Sequence, residues 1–177
     1  APFDLQDEFD NSCLIAGKQN DEILGVIVSV DATLKVVEEA ISENCNLIIC
    51  HHPIIFTPYK SVTDSDYPTE VIIKAIENKI NIIAAHTNID LADGGINDRL
   101  AALLCGNNVA KLDFDKYARV FDIEQMSLYE YADLVKDKLA DNTIRIIGSN
   151  TNINRICVVC GSGGNEKLVR YAACNNI

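Results

Sequence analysis

All three histidines of this chain fall in two short strings, Cys50-His51-His52-Pro53 and His86-Thr87-Asn88-Ile89-Asp90. An imidazole can ligate a cation, carry a proton near neutral pH, or sit beside a site in a hydrogen-bonded place. Neutral imidazoles suit Zn, Fe, Mn or Ni, and a carboxylate such as Asp90 adds charge compensation. Two histidines with one carboxylate also match the facial set of non-haem iron. Neighbouring side chains of a regular strand diverge to opposite faces, so His51 and His52 need an irregular strand end to serve one centre. Pro53 stands where such an end is expected. The bland alternative makes His51 and His52 polar loop residues, leaves His86 satisfied by hydrogen bonds, and lets Asn88 and Asp90 turn a loop. Asp31 likewise has two readings, a helix cap or a member of the site.

These residues need a frame that brings them together. Residues 23–30 (ILGVIVSV) are apolar and β-branched, as in a strand buried on both faces. Asp31 and Thr33 offer capping oxygens, and Leu34, Val37, Ala40 and Ile41 recur at helical spacing. A second strand over 47–50 ends at the histidine pair. Pro68 suits the first turn of a helix over 70–78, and a third strand over 80–85 runs into His86. Strand and helix thus alternate three times within about 85 residues, and crossovers of this length imply a parallel sheet. The expected fold is α/β, with a mainly parallel sheet, helices on its faces and a metal site at the carboxyl ends of the strands, where open sheets form their binding crevice.

A helix is expected over 97–105, stopped by Gly106. The pattern weakens over 107–122, read as a connection or an extra strand. Ser127 and Glu130 match a capping box opening a helix to about 139. Strands are expected over 143–147 and 155–159, and a final helix over 166–174. The whole is read as one α/β domain over 1–177, with a metal-binding core over 1–106 and a second βα portion over 107–177. Gly161 to Gly164 could offer backbone N–H groups to an anion, but lacks the lysine and spacing of a P-loop; a tight turn is the simpler reading. Cys157 and Cys160 have CxxC spacing, yet an odd separation on a strand sends the sulfurs to opposite faces, so structural thiols are expected.

Composition narrows the function classes. The chain has 177 residues, with 15 Lys plus Arg against 26 Asp plus Glu, a formal net charge of −11. That opposes a broad nucleic-acid or anionic-membrane surface. No apolar run approaches the ~20 residues of a membrane helix. Residues 1–12 are polar and acidic, unlike a signal peptide, and seven irregularly spaced cysteines suit a reduced cytoplasmic protein better than a disulfide scaffold.

The strings LIICHHPIIFTPYKSVT, AAHTNIDLADGGINDRLA and VVCGSGG resemble the NGG-interacting-factor-three-like family of dinuclear-metal proteins, many of them named GTP cyclohydrolase 1 type 2 homologues. FDNSCL (9–14) is similar to the family's WDNxGL, departing at Phe9 and Cys13, and SVDAT (29–33) is similar to its LDVT. The resemblance implies two divalent ions per complete chain, with Zn, Fe, Mn and Mg not distinguished, and a hexameric ring. It implies His51, His52 and Asp90 as metal ligands, with His86 beside the site, here expected to relay protons as the catalytic residue. It further implies a metal-dependent hydrolase of a small polar or nucleotide-like substrate, or in the alternative a metal-stabilised oligomeric binding or regulatory protein that engages another protein. The family's remaining ligands lie in a C-terminal HxxxE motif, whereas no histidine follows His86 here. The chain is therefore expected to be part of a longer polypeptide, or a divergent form, and these 177 residues to hold at most one ion weakly, since close metal ions need bridging anionic oxygen.

Overall fold

The computed structural model describes residues 1–177, which divide into two compact units, residues 1–92 and 93–177. The boundary between them lies ahead of the helix that follows Gly95.

The first unit is built on four strands in the order β1-β4-β3-β2: β1 (Leu14–Ala16), β2 (Val26–Asp31), β3 (Leu47–His52) and β4 (Asn81–Ala84). β2, β3 and β4 are parallel, and β1 runs antiparallel to β4, so the sheet is mixed. Helices α1 (Leu34–Ser42) and α2 (Tyr67–Glu77) make the two crossovers, and a short helix, α3 (Thr87–Leu91), follows β4. Thr33 caps α1 through its hydroxyl, which accepts from the Val36 N–H, and a proline occupies the first turn of α2. Both crossovers step the same way across the sheet, and right-handed connections that do so place their helices on one face. There Val37, Ala40, Val71 and Ala75 pack on Ile48, Cys50, Ile82 and Ala84 in one core.

This corrects two expectations. The helices cover one face of the sheet, not both, and the strand read as buried on both sides is the sheet's edge. Ile27 turns toward the core, while Val26, Val28 and Val30 are exposed by 44%, 76% and 60%. An all-apolar run cannot report which of its faces the fold covers, and here alternate residues meet opposite environments.

The second unit opens with α4 (Ile96–Leu103) and forms a three-stranded antiparallel sheet, β5-β6-β7, from Asn107–Leu112, Asp115–Ser127 and Asn152–Val158. The expected second βα portion is thus a meander with helices α5 (Leu128–Leu139) and α6 (Glu166–Cys174). The stretch over 107–122, read as a connection or an extra strand, carries β5 and the first part of β6, a strand of 13 residues central in the sheet. Residues 143–147, expected as a strand, are irregular, and Ile147 is exposed. The capping box of α5 forms as read, between Ser127 and Glu130. The end of α4 differs in detail. Cys105, not Gly106, takes the left-handed backbone (φ 64°), while Gly106 lets the Phe121 ring approach to where a Cβ would stand 2.7 Å from its carbons.

Arg119 on β6 is fully buried. Its guanidinium donates to the Asp98 carboxylate on α4 and to the carbonyls of Lys116, Tyr117 and Ala118. All seven cysteines are free thiols, and no helix is long and apolar enough to cross a membrane.

Candidate metal centre

β3 delivers His51 and His52 as its last two residues, and β4 ends just before His86. Parallel pairing of these neighbouring strands sets their carboxyl ends side by side. His86 leads into a short helix, α3 (Thr87–Leu91), and Asp90 lies on it about one turn further on. This helical turn stands where the bland alternative had Asn88 and Asp90 turning a loop.

The histidine rings converge. Centroids of His51 and His52 are 5.0 Å apart, of His51 and His86 5.1 Å, and of His52 and His86 5.9 Å. One ring nitrogen from each lies within 4.8 Å of the others. Strand geometry alone would separate adjacent side chains, but at this strand end the two rings meet.

Each ring is oriented by its Nδ1. His51 Nδ1 is 3.0 Å from the Ala85 carbonyl oxygen, His52 Nδ1 is 2.8 Å from an Asp31 carboxylate oxygen, and His86 Nδ1 is 2.7 Å from an Asp10 carboxylate oxygen. A carbonyl or carboxylate only accepts, so each Nδ1 is placed to donate, and in the neutral ring that tautomer puts the lone pair on Nε2. Metal-bound histidines are held in this way, the outer partner setting tautomer and ring direction. Three imidazoles at one sheet edge form a donor set that, in their neutral form, fits a divalent cation of the Zn, Fe, Mn or Ni kind.

The three supports differ in strength. Asp31 and His52 are exposed at 60% and 54%, so water competes for their contact. The Asp10 side chain is fully buried. Burial works against its charge, but the Thr87 hydroxyl, His86 Nδ1 and the Thr87 and Asn11 N–H groups all donate to it, and the carboxyl is held well below the usual carboxylate range. Ser12, also fully buried, donates to Asp10 and accepts the His86 N–H. The chain before β1 thus clamps both the ring and the backbone of His86.

Asp90 lies near enough to the cluster to interact with all three rings. The tight grouping is His51, His52 and His86, and burial pushes the Asp90 carboxyl above its ordinary range while the three nearby histidines pull it back. So His86, expected to serve as proton relay, is grouped with the histidine pair. Of the two readings of Asp31, its carboxylate orients His52, and Thr33 does the capping. Asp10 was missed. It lies 76 residues before His86, and only its place beside Asn11 in the string 9–14 hinted at a role. A cleft of about 530 Å³, lined by Lys18, Cys45, Asn46 and Lys79 among others, lies at the amino ends of the strands, away from this chemistry.

A model of the family described as Duf34/NIF3 (NGG1p interacting factor 3) matches residues 1–177. This chain belongs to the DUF34/NIF3 family. A GTP cyclohydrolase 1 type 2 homolog of Clostridium acetobutylicum is 36% identical over 173 residues, covering 92% of this chain, and one of Clostridium perfringens is 34% identical over 171 residues, covering 92% of this chain. The chain spans 64% and 65% of the length of these two curated relatives. Among solved structures, Staphylococcus aureus protein SA1388 superposes with a TM-score of 0.87 at 28% identity, over 99% of this chain and 71% of that one. Reduced HcgD from Methanocaldococcus jannaschii superposes with a TM-score of 0.79 at 28% identity, over 98% and 69%.

Proposed function

We propose that this DUF34/NIF3 chain binds a divalent cation through His51, His52 and His86, and that the cation serves hydrolysis of a small polar, nucleotide-like substrate. The observation that carries the reading is the convergence of three imidazoles whose Nδ1 atoms are each already engaged. The names of the relatives, GTP cyclohydrolase 1 type 2 homolog, support the substrate class. A divalent ion held there supplies Lewis acidity, polarising the scissile bond and acidifying water. The chain itself orients the rings, commits each Nδ1 to an acceptor so that the neutral ring has its lone pair at Nε2, and places the Asp90 carboxyl beside them to offset positive charge.

His86 can do one thing at a time. Its Nδ1 is committed to Asp10, so ligation and proton relay compete for the same Nε2. We assign it to the cation, together with the histidine pair. The test is zinc affinity and stoichiometry of the purified protein and of His51→Ala, His86→Ala and Asp90→Ala, with turnover on GTP and a phosphoester panel. Loss of zinc in His51→Ala and His86→Ala alike, with turnover falling in step, supports the proposal. Zinc retained in His86→Ala with turnover abolished would return His86 to proton relay, and no zinc uptake by the intact protein would sink the reading.

A further inference from the structure

Beside the histidines stand two phenylalanines that the folding core does not use. Phe9 is exposed by 66% and Phe56 by 50%. Their centroids are 6.4 Å apart at 61°, and Phe56 lies 6.2 Å from the His86 ring at 87°. Each belongs to a segment that builds the site. Phe9 precedes Asp10, the carboxylate that holds His86, and Phe56 lies four residues after His52. A bond of 2.6 Å from Asn11 Nδ2 to the Ile55 carbonyl ties the two segments together, so the rings are presented as a pair.

Exposed aromatic surface costs solvation, and where it adjoins a polar centre it marks a place for a ligand with an apolar face. The neighbours of Phe56 approach it at steep angles, 61° and 87°, and neither lies parallel upon it. The offset-stacked arrangement, which aromatic rings favour as much as the edge-on one, is left for another ring. The polar atoms that would engage a phosphate or a bond under attack lie on the histidine side, and those that would hold a planar ring lie on the phenylalanine side.

We infer that Phe56, with Phe9 at its edge, is the stacking platform for the heterocyclic base of a nucleotide whose polar end reaches the histidine cluster. This rests on the proposed function and adds the part of the substrate recognised and the residues that recognise it. The occupant is a planar ring, because a sugar phosphate without a base would leave both phenyl rings in water.

The chain contains no tryptophan, so Phe56→Trp both preserves the aromatic surface and installs a single reporter. The probes are guanosine 5′-monophosphate and ribose 5-phosphate, titrated into zinc-loaded and zinc-free protein. Saturable quenching of Phe56→Trp by the nucleotide, and none by ribose 5-phosphate, is expected. By calorimetry, Phe56→Ala should weaken nucleotide binding about tenfold, the scale of one base–aromatic stack, and leave ribose 5-phosphate and zinc binding unchanged. Phe9→Ala should do the same to a smaller degree. Equal affinity of the wild-type protein for the two probes overturns the inference, as does a preference for the base that survives both alanine variants. A change of sedimentation mass in Phe56→Ala with unchanged nucleotide binding also overturns it, making the rings a protein interface. Failure of the protein to bind zinc is read separately. It counts against the hydrolase, while the zinc-free titrations still decide whether a base is preferred.

Discussion

Replacing Asp10 by Asn removes one charge and almost no volume, and it tests how the centre is kept ready for a cation. Asp10 Oδ1 accepts from the Asn11 N–H at 2.8 Å and from His86 Nδ1 at 2.7 Å, and Oδ2 accepts from Ser12 Oγ at 3.0 Å and the Thr87 N–H at 2.9 Å, with the Thr87 hydroxyl beside them. An amide can accept at only one of these ends. With its oxygen kept on the three-donor side, its NH2 faces His86 and the Asn11 N–H. His86 can relieve half of that conflict by moving its proton from Nδ1 to Nε2, but its lone pair then lies on Nδ1, accepting from the amide, and Nε2 offers none to a metal. The opposed Asn11 N–H and the lost charge-assisted bonds should cost roughly 1.5–3 kcal/mol of stability. Zinc affinity should fall by about 10- to 100-fold, the usual effect of losing a metal-ligand's orienting partner. Asp31→Asn is the internal control. Its contact with His52 is exposed on both sides, so the stability change should stay below about 1 kcal/mol, and water can take the amide's place. Urea titration gives the first number, competition with a chromophoric chelator the second, and histidine nitrogen shifts by NMR report the tautomer. An Asp10→Asn protein that binds zinc as tightly as wild type, with His86 still protonated at Nδ1, would refute the tautomer argument.

Other outcomes follow from the second unit and the sheet edge. Asp98→Asn leaves the buried Arg119 charge short of its carboxylate and should cost about 3 kcal/mol by urea unfolding at pH 7. Burial opposes the Asp98 charge, but bonds from Arg119 and the Gly94 N–H hold its carboxyl below the ordinary range. A depressed folded value means that the contribution is full above the unfolded value of ~3.9 and is lost as pH falls through the folded one. Wild type should therefore lose stability below about pH 4, and a variant losing as much over the same range would contradict this. Gly106→Ala puts a methyl 2.7 Å from the Phe121 ring and 2.8 Å from the Ala101 carbonyl oxygen and should lower stability by ~1–3 kcal/mol. Gly164→Ala, with nothing within 4 Å, should shift the melting temperature little. Val28→Lys on the exposed edge should change stability by less than about 0.5 kcal/mol and reduce concentration-dependent self-association in sedimentation, because a charged edge resists strand pairing.

How far the sequence reaches depends on whether a signal is local. Helix α5 was legible because its capping box lies within four residues. β3 and β4 were legible because a short apolar run ending in polar residues has the length of a buried strand. β6 was legible only as one of two readings, a connection or an extra strand, since its central place comes from pairing with segments on either side of it in the chain, and its own residues mix charge with apolar positions. The exposed face of β2 was hidden for the converse reason. Its residues are apolar whether or not anything covers them.

The same division runs through the site. Residue type and strand-end position singled out His51, His52, His86 and Asp90, because imidazole and carboxylate chemistry is a property of the side chain and strand ends have a local signature. The tertiary structure decided the rest. It turned two adjacent rings toward each other, brought His86 into a tight group with them, and recruited Asp10 from 76 residues away to engage Nδ1 of His86. Convergence and tautomer depend on distances between residues far apart in the chain, and such distances exist only once the sheet has formed.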